Sequence, residues 1–199
     1  KDQEYFSDGL SEELLNLLTK IPQLQVAART SSFYYKGKEV KLEEMARELH
    51  VAHILEGSVR KSGNRVRITA QLIRAADGYH QWSETYDRTL KDIFAVQEEI
   101  AAAVVTQLKV TLLGAAPKVR KTDPKAYALY LQALQVDRQY TLAGMEQAIA
   151  LYQQALAIDP TYAAACDGLG SVDADQAFVG PGPRSAVGGF RVAGTAVNK

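Results

Sequence analysis

Two groups of side chains have types and spacing able to do chemistry. Arg29, Thr30, Ser31, Ser32 and Lys36 gather two cations and three hydroxyls in one short polar stretch. That is a donor set able to cradle an anion, and loops carry most such sites. The competing reading is structural: the hydroxyls cap the following turn and the cations stay in water. The second group is a basic hairpin of Arg60, Lys61, Arg65, Arg67 and Arg74 with few acids nearby. Arg60 and Arg67 join the first group as candidate ligand-binding residues. Proteins that hold single-stranded nucleic acid place aromatic side chains between such cations. Here the positions sharing that face are Thr69 and Gln71, so a solvated sheet face is favoured and no nucleic-acid partner is expected.

The remaining reactive groups read as structural. Glu56 lies within an alternating strand and is expected to pair across the hairpin with an arginine such as Arg67. His50 and His53 are three apart, but at a helix-to-strand junction, and His80 stands apart from both. No metal-ligand spacing results. Cys166 is expected as a small buried thiol, with no histidine to activate it. As the single cysteine it forms no internal disulfide. Trp82 and Tyr86 fall on one strand face, as core or interface aromatics. There is no glycine-rich phosphate loop and no nucleophile elbow. No catalytic residue, metal ligand or cofactor is expected.

Composition sets the frame for these groups. Of 199 residues, 47% are hydrophobic and 23% charged, which is ordinary for a globular chain of one or two domains. Lysine plus arginine equals aspartate plus glutamate at 23 each, so neither a nucleic-acid nor a polybasic membrane footprint is present. No apolar run reaches 18 residues. The chain starts at Lys1 with no initiator methionine or apolar leader and reads as a piece of a longer protein. Any membrane anchor is expected upstream.

The elements that must position these groups follow from periodicity. A helix is expected from Asp8, its N-cap, to Lys20, with Leu10, Leu14, Leu17, Leu18 and Ile21 as its stripe and Pro22 as its stop. Leu24 to Arg29 reads as a buried strand and Thr30 to Gly37 as a loop. A second helix is expected over Leu42 to His50. His53 to Arg60 and Arg65 to Leu72 alternate about a turn at Lys61-Ser62-Gly63-Asn64, and Tyr79 to Asp87 follows the turn at Asp77-Gly78. A helix of over 20 residues is then expected from Leu90 or Lys91 to Leu113, stopped by Gly114 and Pro117. Further helices are expected over Lys125 to Tyr140, over Ala143 or Gly144 to Ile158, and from Tyr162. Gly180, Gly182, Gly188, Gly189 and Gly194 make the tail only partly ordered.

One phrase near the end is specific. Ala148, Tyr152, Ala155, Leu156 and Pro160 fall at the spacings of the second helix of a tetratricopeptide (TPR) repeat, and Leu169-Gly170 matches the Leu-Gly pair of a first helix. Small residues let helix axes approach, and an aromatic fills the groove beside them. The helix before Ala148 lacks the signature, and its loop over Thr141 to Met145 is longer than usual. About one and a half repeats are legible.

The first 115 residues carry a second set of phrases: Tyr5-Phe6-Ser7-Asp8-Gly9-Leu10, Ala28-Arg29-Thr30-Ser31-Ser32-Phe33, Tyr35-Lys36-Gly37-Lys38, Leu55-Glu56-Gly57-Ser58-Val59-Arg60, Arg65 to Ile73 and Trp82 to Arg88. Together they resemble the TolB amino-terminal-like domain of bacterial signalling proteins. In that family the domain stands before TPR repeats and follows a membrane helix and a cytoplasmic effector. The effector is a class III adenylate cyclase or a winged-helix regulator of the CadC type. Family members carry an apolar strand ahead of the Tyr-Phe-Ser-Asp-Gly phrase, and this chain starts inside that point.

The resemblance implies an α+β domain at 1–115, with a small mixed sheet, an antiparallel meander and flanking helices. A linker at 116–124 and an all-α TPR-like region at 125–199 follow. It implies a non-catalytic regulatory, sensory and protein-interaction module of a larger signalling protein, an adenylate cyclase by preference. The paired metal-binding aspartates of a cyclase catalytic domain are not recognisable here. The alternatives are the sensory half of a membrane-bound transcription regulator and an enzyme in its own right. The implied partners are a protein or peptide on the TPR surface and a second copy of the chain; membrane contact would come only through an upstream segment. The implied location is periplasmic, with cytoplasmic as the alternative.

Overall fold

A computed structural model describes residues 4–109 and 118–178. They form two compact units: residues 4–10 with 120–178, and residues 11–109 with 118–119. In chain order the elements are α1 (Glu4–Thr19), α2 (Arg29–Phe33), α3 (Leu42–Leu49), β1 (His53–Ser62), β2 (Arg65–Arg74), β3 (His80–Thr89), a 3-10 turn (Leu90–Asp92), α4 (Ile93–Gln107), α5 (Pro124–Asp137), α6 (Leu142–Ile158) and α7 (Ala163–Phe178). The chain is thus α+β, and among the described residues its sheet has three strands in the order β1-β2-β3.

Both strand pairs are antiparallel, so among the described residues the sheet is not the mixed one expected. Strict alternation in β2 puts Val66, Ile68, Ala70 and Leu72 on one face, each at most 3% exposed. Arg65, Arg67, Thr69 and Gln71 take the other face. Helix α4 packs on β2 and β3. Its Ile93, Val96 and Ile100 are fully buried, and each such side chain contributes about 1.5–3 kcal/mol. Ser62 pairs with Arg65 across a two-residue turn, where Gly63 takes φ +57°.

Leu24 to Arg29 does not enter the sheet. Leu24 and Val26 instead pack, half-buried, against Leu17, Leu18, Ile21, Ala101 and Val104. Apolar side chains can be covered in this way without ladder pairing. The Ala28 carbonyl then accepts the amides of Ser31 and Ser32, both at 3.0 Å, and starts α2 where a loop was expected. Helix α3 ends on His50 in the left-handed conformation, φ 53°. Helix α4 ends at Gln107, followed by Lys109 at φ 52°. It has 15 residues instead of more than 20. Leu112, Leu113, Gly114, Pro117 and the glycine-rich tail lie outside the described residues. Within the segment read as a linker, Val119 packs on the apolar cluster, and its amide donates to Glu98 at 2.9 Å.

The helical unit is held by a seam of small residues and aromatics. Asp123 caps α5 by accepting from the Lys125 amide at 2.7 Å, with Pro124 in the first turn. Thr141 caps α6 by accepting from the Gly144 amide at 3.0 Å. With Leu142–Met145 helical, the α5–α6 connection has only four residues, 138–141, and is not long. The Thr122 hydroxyl donates to Asp159 at 2.6 Å at one end of the pair. Gly144 abuts the Val136 carbonyl at the other end, so α5 and α6 run antiparallel.

Ala148, Tyr152 and Ala155 recur at helical spacing and are fully buried. Tyr130 meets Tyr152 at 6.2 Å and Tyr162 at 5.2 Å between ring centroids. Leu156 and Leu169 are half-buried, while Pro160 and Gly170 are exposed. The close approach on α7 is made by Gly168 instead: a Cβ there would lie 2.5 Å from the Tyr152 ring. Cys166 is exposed, not buried, because Ala165 takes the inward position beside it.

The start of α1 belongs to this unit. The expected cap, Asp8, lies inside the helix, which is already formed at Glu4, the first described residue. Phe6, fully buried, meets Tyr127 edge-on at 6.3 Å, and Gly9 lies beneath Leu131. That packing outweighs both the capping preference of aspartate and the roughly 1 kcal/mol penalty of an interior glycine.

Candidate functional site

The candidate residues divide into two places. On α2, Arg29 donates to Glu12 at 3.0 Å, and its guanidinium stacks over Phe33 at 4.3 Å. Ser32 returns its hydroxyl to the Ala28 carbonyl at 3.2 Å, while Thr30 and Ser31 are exposed. Lys36 follows in the exposed turn, where Tyr35 donates to Glu48. That hydrogen bond pushes the Tyr35 phenol up to about 12. Arg29 and Ser32 are therefore spent on local structure, and Arg29 is paired and stacked where the structural reading expected a solvated cation.

The outer face of the sheet is built differently. The two-residue turn fixes the β1–β2 register, which sets Arg60 opposite Arg67 and Ser58 opposite Thr69. The β2–β3 register sets Asp87 opposite Arg67 and Thr85 opposite Thr69. These six side chains line a shallow hollow of about 340 Å³, and no α2 residue lines it.

Asp87 organises one side of the hollow. Its Oδ2 accepts from Arg67 Nε at 3.2 Å and from Arg67 Nη2, and its Oδ1 accepts from Arg65 Nη2 at 3.3 Å. The guanidinium of Arg67, seconded by that of Arg65, holds the Asp87 carboxyl below its ordinary value. Thr69 and Thr85 hydroxyls meet at 3.2 Å, and Gln71 donates to Ser83 at 3.3 Å further along. Glu56 is exposed and sits opposite Gln71, not Arg67, so the expected Glu56–Arg67 pair does not form. Asp87 takes that place from the third strand.

A depressed carboxylate contributes stability above its unfolded-state value, and the contribution fades as pH falls through the folded value. Asp87 is thus expected to titrate, by carboxyl carbon NMR, below the ordinary aspartate range. In Arg67→Gln the midpoint should rise toward the ordinary aspartate value; an unchanged midpoint would show that Arg67 does not hold the charge.

Ser58, Thr69, Thr85 and Asp87 were not among the sequence candidates. The pairing of the first two follows from the two-residue turn at Gly63-Asn64, where a four-residue turn was expected. Thr85 and Asp87 were hidden by the register irregularity at Leu72/Ile73, which breaks simple counting into β3. On the inner face Trp82 and Tyr86 do share a side, with Tyr86 buried and Trp82 half-buried. Among the described residues no cluster of three or more His, Cys, Asp or Glu side chains is placed to hold a metal. Nor is any described helix long and apolar enough to cross a membrane.

No family model matches the chain. The chain is 45% identical over 150 residues to a protein of Rhizobium meliloti (strain 1021) named "Putative adenylate cyclase 3". The matched stretch is 73% of this chain and 26% of that protein, so the chain spans about a quarter of its relative's length.

Proposed function

We propose that this chain is a non-catalytic regulatory and protein-interaction portion of a larger signalling protein related to adenylate cyclases. The observation that carries the reading is the extended 45% identity to a quarter of a relative bearing that name. In this reading residues 1–115 are a TolB-like domain, and residues 125–199, with α5, α6 and α7, are a TPR-like region. The fully buried Ala148, Tyr152 and Ala155, and the contact of Gly168 with Tyr152, support a TPR-like seam. The helical surface offers itself to a protein or peptide.

Two measurements test this. The 199-residue chain, supplied with ATP and Mg²⁺ or Mn²⁺, should form no cyclic AMP. Deleting the matching region from the full-length relative should change its cyclase rate by roughly fivefold or more, the lower end of ordinary inter-site coupling. Turnover by the chain alone would overturn the non-catalytic assignment. An unchanged rate in the deletion would overturn the regulatory one.

A further inference from the structure

The hydrogen-bond inventory of the hollow on the outer sheet face is lopsided. Its one carboxylate, Asp87, has both oxygens engaged by Arg65 and Arg67. Arg60 has no ion pair among the described residues, and the Ser58 hydroxyl has no partner there either. In the Thr69–Thr85 contact one hydroxyl donates to the other, which leaves the acceptor's own hydrogen free. The hollow therefore presents a guanidinium fork, at least two hydroxyl donors and the unused N–H groups of Arg67, with its one carboxylate already engaged by Arg65 and Arg67.

The charge follows the same sense. Arg60 and Arg67 against Asp87 leave one net positive charge in the lining, and Arg65 beside it adds another. Two arginines directly opposed on neighbouring strands repel each other, by a few tenths of a kcal/mol or more. A bound anion would remove that repulsion, and arginine forks suit planar and tetrahedral oxyanions because they bind them through two parallel bonds.

We propose that this hollow is a binding site for a small oxyanion-bearing ligand, phosphate or carboxylate, with Arg60 as its principal cation and Ser58 and one of the Thr69–Thr85 pair as hydroxyl donors. Arg67 is pre-oriented by Asp87 and forms the opposite wall. The face carries no aromatic side chain on which a base would stack, which separates the site from a nucleic-acid platform. The α2 cluster, whose arginine is already paired and stacked, is not part of it.

The test is a titration of the full chain followed by amide chemical shifts and melting temperature. Inorganic phosphate and citrate are added separately, with sodium chloride at matched ionic strength as the reference. Saturable shifts are expected at Ser58, Arg60, Arg67, Thr69, Thr85 and Asp87, with a rise in melting temperature that chloride does not produce. Saturation by phosphate, by citrate or by both supports the site and identifies the group it takes. Arg60→Gln removes a side chain with no structural partner, so the variant should fold normally and bind about tenfold more weakly. Arg74→Gln, at the far end of β2, should bind within a factor of about two of the unaltered chain. Three results would each overturn the proposal: responses equal to those in chloride, shifts centred on Arg29 to Lys36, and Arg60→Gln binding as tightly as the parent. None of them bears on whether the chain regulates a cyclase, which the deletion experiment decides separately.

Discussion

Replacing Tyr152 by alanine is expected to lower the stability of the helical unit by about 3–5 kcal/mol, the range for a fully buried aromatic truncated in a core. The ring is wholly enclosed. It lies against Gly168 of α7 and against the Tyr130 ring of α5, so three helices lose contact at once. Tyr152→Phe should behave oppositely. The hydroxyl is buried with no hydrogen-bond partner among the described residues, and burial pushes its ionisation up. Removing an unsatisfied buried hydroxyl is neutral or stabilising by up to about 1 kcal/mol. Urea unfolding followed by circular dichroism would measure both changes. A loss below about 1 kcal/mol for the alanine variant would mean that the seam is not packed as described.

What the sequence made legible depends on whether local chemistry or distant packing decides. The existence of the β1–β2 hairpin was readable because alternation and a glycine turn are both local, but its register was not. The turn was expected over four residues and Glu56 was set against Arg67, whereas the two-residue turn sets Arg60 there. The buried face of α6 was readable because Ala148, Tyr152 and Ala155 repeat at helical spacing. The sequence pointed to Gly170 as the small residue of α7, whereas Gly168 meets the aromatic. Both glycines look alike until the position of Tyr152 is known. The beginning of α1 was misplaced for a similar reason: Asp8 has good capping chemistry, yet it lies inside a helix that already includes Phe6, buried against Tyr127. Leu24 to Arg29 has the composition of a strand, but it has no ladder, because its apolar side chains are satisfied by helices α1 and α4. The candidate site shows the same division. Arg60 and Arg67 are opposed by hairpin geometry alone, but the Asp87 that holds Arg67 comes from a strand whose register slips at Leu72/Ile73.

That opposition also needs β1 to approach β2 closely at Gly57, and Gly57→Val should expose this. Propensity alone predicts a gain, since valine suits a strand and glycine weakens one, a difference of up to about 1 kcal/mol. Sterics predict the reverse. A Cβ at residue 57 would overlap the Thr69 carbonyl oxygen on β2. The obstacle is backbone, so no rotamer relieves it, and overlap of this kind costs about 1–3 kcal/mol or more. The overlap should win, with a net loss of about 2 kcal/mol and a local bulge in β1 between Leu55 and Val59. Ser58→Val, one residue on and facing outward, should change stability by less than about 0.5 kcal/mol. Amide exchange in the hairpin separates the two variants. In Gly57→Val the protection of β1 amides should fall and the Arg60–Arg67 register should be lost, so oxyanion binding weakens even though every side chain lining the hollow is still present. Unchanged protection and binding in that variant would show that β1 tolerates a side chain at residue 57, and that the hollow does not depend on the close approach of the two strands there.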